Sequence, residues 1–304
     1  MSKCLITGAA GFIGLHLTES LLQSGKEVVA IGIANKGFVP DKKIKFYETT
    51  VGDPIVSEIF KKEKPEIVYH LSGPIYLRRA IDDPFFELSA NFFTDIRKLL
   101  YYSRDCGVKK IIYTSSGGAL YGPDSPIPTS EKTRVCPDSF YGIANLMIEK
   151  MIESYCENFK FFFAILRLSN AYGPRQWKEG IIPSIVSSII ANKPVNISGD
   201  GEQTRDFVYV GDVVKALGCA SEIKTNGIIN VGYGQEITLN LLCEKISKIL
   251  GKNANIVYQK DKPSGVRRSA VDISKIKKEL GWEPVISLEQ GLRETIDWFK
   301  LKEK

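Results

Sequence analysis

Apolar positions follow two rhythms through the first part of the chain. Cys4, Leu5, Ile6 and Thr7 form a short unbroken run, and similar runs occupy residues 27–33, 44–48, 66–71 and 110–114. Runs of that length, rich in β-branched residues and bounded by turn signals, predict buried strands. Between them the apolar residues recur at helical spacing, as in Phe12, Ile13, Leu15, Leu17, Leu21 and Leu22. Strand and helix in alternation predict an α/β fold of Rossmann type, a doubly wound parallel sheet whose ligands sit beyond the carboxyl ends of the strands. Past Arg167 the alternation lapses. Residues 227–231 read as a strand, and 239–250 and 288–299 as amphipathic helices of a smaller α/β substrate lobe. The expected division is a sheet domain over 1–166, with 205–226 returning to it, and a lobe drawn from 167–304.

The first run ends in glycines. Gly8, Gly11 and Gly14 are spaced G-x-x-G-x-x-G, and the helical pattern starts at once with Phe12 and Ile13. Strand, glycine turn and helix in that order predict a pyrophosphate cradle. The helix start offers unpaired N–H groups and a partial positive charge, and the missing Cβ atoms let an anion reach the backbone. The second strand of such a unit usually ends in an acid that holds the adenosine ribose, but here Gly32 stands at that place, followed by Asn35 and Lys36. With no carboxylate to repel a 2′-phosphate and Lys36 to attract one, NAD and NADP are both expected cofactors; an incidental surface lysine is the other reading. Asp53 either meets the adenine or caps the next helix through its Asp-Pro turn. His70 in an apolar strand reads first as a core imidazole, while Leu71, Ser72 and Gly73 leave that strand on the ligand side.

Composition narrows the function. The chain is 43% apolar and 25% charged, with no apolar run near the ~20 residues a membrane span needs. Its first strand follows Met1 almost directly, so no signal peptide and a cytoplasmic location are expected. Six scattered cysteines without a C-x-x-C pair, and two histidines, predict buried free thiols and no metal site. The net charge of +6 comes from dispersed lysines without a basic block, which favours small anionic ligands over nucleic acid.

The remaining chemistry lies in YTSSGGALYG, residues 113–122, and SFYGIANLMIEKMIESY, residues 139–155. Ile143, Leu146, Met147, Ile148 and Met151 fall at helical spacing, so Tyr141 sits near a helix start with Asn145 on the same face. A phenol beside a nucleotide site can carry the proton in alcohol oxidation.

These segments, with TGAAGFIG at the start, VGD at 51–53, VYHLSG at 68–73, RLSNAYGPRQ at 167–176, GDGEQTRDFVYVGDV at 199–213 and LGWEP at 280–284, resemble the extended short-chain dehydrogenase/reductase family along essentially the whole chain. The likeness is greatest to O-antigen-type UDP-sugar 4-epimerases. It implies that Gly8, Gly11, Phe12, Ile13, Gly14, Asp53 and Leu71, Ser72 and Gly73 bind the dinucleotide, that Tyr141 is the acid/base, and that Asn170, Arg205 and Arg268 contact the sugar nucleotide. A homodimer built on helices near 92–102 and 141–155 is implied as well. For Arg205 the residues themselves also allow a local ion pair with Asp206.

The chain departs from the family pattern at two catalytic positions. Gly117 stands at the usual Ser/Thr, leaving Ser115 or Ser116 to supply a hydroxyl, and Asn145 replaces the lysine of Y-x-x-x-K. Asn145 can hydrogen-bond a ribose but brings no cation, and Lys150 falls on the opposite face of the helix. Gly118 and Ala119 occupy the places of the dehydratase acid pair, so dehydration is not expected. The expected activity is NAD(P)-dependent 4-epimerisation of a UDP-hexose through a 4-keto sugar; the alternatives are an NADPH-dependent keto-sugar reductase and an impaired family member with a binding role.

Overall fold

The computed structural model describes residues 2–34, 43–73, 90–259 and 265–302. Seven strands form the main sheet: β1 (Lys3–Thr7), β2 (Glu27–Gly32), β3 (Lys45–Glu48), β4 (Ile67–His70), β5 (Lys110–Ser116), β6 (Phe162–Leu168) and β10 (Gly227–Val231). Their order is β10-β6-β5-β4-β1-β2-β3, and β1 pairs in parallel with both β2 and β4. The chain therefore winds outward from β1 to one edge and then restarts at β4 on the other side. That reversal opens a crevice at the carboxyl ends of β1 and β4.

Two compact units divide the chain. The first comprises Met1–Leu120, Val135–Arg167 and Val214–Ile229, and the second Tyr121–Arg134, Leu168–Val213 and Asn230–Lys304. Residues 205–213 thus lie with the second unit. The reason is pairing: β9 (Thr204–Tyr209) runs between β7 (Asn170–Tyr172) and β11 (Glu236–Thr238) in a separate three-stranded sheet. A further parallel pair joins β8 (Val195–Ser198) to β12 (Ile256–Gln259).

Each unit has its own core. Leu5, Val29, Val68 and Ile111 of the first sheet pack with Ile148 and Ile152 of the helix Phe140–Phe159. In the second, Ile182, Ile185 and Ile189 meet Leu242, Ile246, Leu292 and Ile296. Full burial of each such side chain contributes about 1.5–3 kcal/mol, which fixes the strand ends on which the site is built. Cys4, Cys156 and Cys243 are buried free thiols, whereas Cys136 is exposed, against the expectation for it, because it lies in the loop before the helix. Among the described residues no helix is long and apolar enough to cross a membrane.

Candidate active site

The glycine turn joins β1 to the helix Phe12–Gln23. Gly8 adopts a left-handed φ of +70°, and a Cβ on it would stand 2.8 Å from the Ser72 nitrogen. A Cβ on Gly14 would stand 2.8 Å from the Ala9 Cα and drive into the Gly8 carbonyl. The turn, the helix and the segment after β4 thus approach one another more closely than side chains permit. No side chain caps the helix at Gly11, so the first-turn N–H groups of Phe12 and Ile13 have no acceptor on their own helix. The Ser72 and Ser115 hydroxyls, beyond β4 and near the end of β5, are buried without a partner. Bare helix-start donors and two orphaned hydroxyls at the sheet's carboxyl edge fit a bound dinucleotide.

Other expected cofactor residues sit as follows. Gly32 closes β2 with no carboxylate, and Lys36 falls outside the described residues. Asp53 accepts the Ile55 N–H at 3.0 Å, a bond within the Asp-Pro turn that leads into the helix Ile55–Glu63. His70 is buried, its Nδ1 is 2.8 Å from the Thr7 hydroxyl, and burial pushes its pKa down to about 4.

Tyr141 is the second residue of its helix, whose start is capped by the Ser139 hydroxyl accepting the Gly142 N–H at 3.1 Å. Gly142 is needed there, since a Cβ would stand 2.8 Å from the Pro137 Cβ and overlap the Ala119 carbonyl. The helix start is thereby seated on SSGGALYG. Ser115 is buried and Ser116, the last residue of β5, half-buried. Asn145 lies one turn after Tyr141, only 2% exposed. Its Oδ1 accepts the Tyr113 hydroxyl at 2.7 Å and its Nδ2 donates to the Tyr141 carbonyl at 2.8 Å. The amide expected to reach a ribose therefore has two partners within the protein. Tyr113 itself is not a residue that spacing singles out: it reads as one more apolar strand position. One turn further on, Glu149 is buried and forked onto Arg167 at 2.6 and 3.0 Å. Lys150 points away and pairs with Glu153.

In the second unit the three expected substrate residues surround the small sheet. Asn170 on β7 donates to the Asp206 carbonyl at 3.3 Å. Arg205 on β9 donates from Nη1 to the carbonyls of Thr204 and Val266 at 2.7 and 2.8 Å, and burial lowers its pKa. Arg268 is paired with Glu236, which also accepts the Thr204 hydroxyl. Neighbours on a strand face opposite ways, so Arg205 and Asp206 make a poor ion pair. The Asp206 carboxylate instead accepts the N–H groups of Tyr233 at 2.8 Å, Gly234 at 3.1 Å and Val271 at 3.3 Å. No cluster of three metal-ligating side chains occurs among the described residues.

Residues 4–232 match the NAD dependent epimerase/dehydratase family. The chain is 34% identical to a protein of Methanocaldococcus jannaschii described as a putative UDP-glucose 4-epimerase, over 97% of this chain and 98% of that one. The solved UDP-glucose 4-epimerase of Thermotoga maritima with UDP-glucose superposes with a TM-score of 0.95 at 34% identity, covering 99% of this chain and 100% of that one. The Thermus thermophilus UDP-glucose 4-epimerase complexed with NAD gives a TM-score of 0.90 at 28% identity, covering 98% and 99% of the two chains.

Proposed function

We infer a reaction for this chain from its family: it belongs to the NAD dependent epimerase/dehydratase family and acts as an NAD-dependent nucleotide-sugar 4-epimerase, with a UDP-hexose as substrate. The observation that carries this reading is likeness along the full length to UDP-glucose 4-epimerases, in the second unit as well as in the sheet that many nucleotide enzymes share. Gly8, Gly11, Phe12, Ile13 and Gly14 would hold the dinucleotide diphosphate, and Leu71, Ser72 and Gly73 would flank its path. When bound, the oxidised nicotinamide would supply a reversible acceptor for the hydride of the sugar C4.

The remaining steps belong to the protein. Tyr141 takes the proton of the 4-hydroxyl and gives it back after the keto sugar has turned over. Ser115 or Ser116 donates to the same oxygen and aligns it. Asn170, Arg205 and Arg268 would bind the nucleotide diphosphate, a task suited to an amide donor and two planar guanidinium forks. Six free cysteines agree with a reducing, cytoplasmic setting. A homodimer through the helices Ala90–Asp105 and Phe140–Phe159 is part of the proposal, supported by the exposure of Tyr101, Ile143 and Met147.

The test is incubation of UDP-glucose with catalytic NAD. UDP-galactose should form with no net change at the reduced-nicotinamide absorbance, whereas a reductase consumes stoichiometric NADPH. Tyr141→Phe should lower turnover by roughly 10²–10⁴-fold, the usual worth of a positioned acid/base. Retention of full turnover by that variant would remove Tyr141 from the mechanism.

A further inference from the structure

Asn145 stands where the family pattern has a lysine, yet its surroundings are those of a clamp. Its carbonyl oxygen is held by the Tyr113 hydroxyl, and one of its N–H groups grips the backbone carbonyl of Tyr141. That carbonyl belongs to the first turn of the helix, the part of any helix most prone to fray. Tyr113 lies on β5 and is fully buried; burial, together with nearby Tyr141 and Glu149, raises its pKa well above the ordinary phenol value. It therefore stays a neutral donor at every working pH. Its ring stacks on His70 at 5.5 Å between centroids, with 26° between planes, and His70 is tied in turn to Thr7. Thr7, His70, Tyr113 and Asn145 make one line of buried contacts from the end of β1 to the backbone of Tyr141.

We propose that Tyr113 and Asn145 act together as positioning residues for Tyr141, the phenolic hydroxyl locking the amide that holds the helix's first turn against the sheet. The proposal rests on the acid/base role given to Tyr141 above. It assigns Asn145 a mechanical task in place of the electrostatic one a lysine would perform. If the Tyr113 hydroxyl is removed, the Asn145 amide can rotate, and the first turn bearing Tyr141 loosens while the glycine turn and the second unit are untouched. Misplacing a reacting group by ~1 Å costs about 10²-fold, so a loosened turn is expected to cost about 10-fold.

The experiment compares the natural chain with Tyr113→Phe, Asn145→Leu and the double variant. It measures kcat and KM for UDP-glucose, NAD affinity by fluorescence quenching, the thermal midpoint and the pH profile of kcat. Each single variant should lose about 10-fold in kcat, with KM and NAD affinity within about 2-fold of the natural values. The double variant should fall no further than the worse single one, because both changes break the same clamp. The acid limb of the kcat profile should move to higher pH as Tyr141 leaves the field of the cofactor; a mere loss of folded protein scales the whole profile without moving it.

An unchanged kcat in Tyr113→Phe, an unmoved profile, or single losses that multiply in the double variant would each overturn the proposal. Should Tyr113→Phe melt below the assay temperature, Asn145→Leu in the same assays decides. Failure of the natural chain to interconvert UDP-glucose and UDP-galactose defeats the functional reading and this one with it. Normal turnover by the natural chain and both single variants defeats the clamp alone.

Discussion

Asp206 shows how one side chain can organise a site it does not have to touch. Its carboxylate gathers the N–H groups of Tyr233, Gly234 and Val271, while its backbone carbonyl accepts from Asn170 and its neighbour Arg205 faces the other side of the strand. Burial raises its pKa from 3.8 to about 6, opposed by those backbone donors. The folded value lies above the unfolded one, so the group favours folding when protonated. Its contribution is complete below pH ~4 and is lost as pH rises through about 6. The gap corresponds to about 3 kcal/mol. The stability of the natural chain relative to Asp206→Asn in urea should therefore fall by about 2 kcal/mol between pH 4 and pH 7; a relative stability that is flat or rises with pH contradicts this. Spacing in the chain marked Asp206 only as the neighbour of Arg205. Its true partners lie 27 and 65 residues away, beyond the reach of any local pattern. Asn145 is the same case: helical periodicity set it beside Tyr141, but the Tyr113 hydroxyl arrives from β5, 32 residues earlier.

Elements were more legible than partners, for a physical reason. Periodicity records which face of a segment is buried, so the helix Leu239–Leu250 could be read to its ends, where Thr238 caps it and Gly251 closes it in the left-handed conformation. Strand pairing leaves no such record. The sheet of β7, β9 and β11 draws on three distant segments, which is why residues 205–213 were expected in the sheet domain. Contacts that tie one element to another are equally hidden. Lys110, at the start of β5, is buried and donates to the Ser221 carbonyl at 2.7 Å and to those of Ala220 and Ile223. An ammonium there satisfies the terminal carbonyls of the helix Val210–Glu222 and complements its dipole, although burial lowers the lysine's pKa. Lys110→Met keeps the stem and removes the donors. It should destabilise the protein by about 1–3 kcal/mol, seen as a lower thermal midpoint, because the carbonyl of buried Ala220 and those of half-buried Ser221 and Ile223 lose their donor. An unchanged midpoint would mean that water replaces the ammonium.

At the scale of the whole molecule, the helix that carries Tyr141 also bears an exposed apolar stripe. Phe140, Ile143 and Met147 are 38%, 36% and 42% exposed and share one face. Tyr101 and Phe159 are exposed as well, with the Arg104 guanidinium between their rings at 5.0 and 4.9 Å. Exposed apolar surface of this kind marks an interaction site, and a two-fold dimer would cover it by meeting its own copy. A stable interface of that kind needs about 800 Å² from each partner, which two neighbouring helices can provide and three side chains alone cannot. Sedimentation at micromolar concentration should therefore give a dimer for the natural chain and a monomer for Met147→Glu. The variant should melt near the natural midpoint of an isolated chain, since Met147 is already exposed and its loss opens no cavity. A natural chain that sediments as a monomer, or a Met147→Glu chain that remains dimeric, would place the contact elsewhere and leave this stripe without a role in assembly.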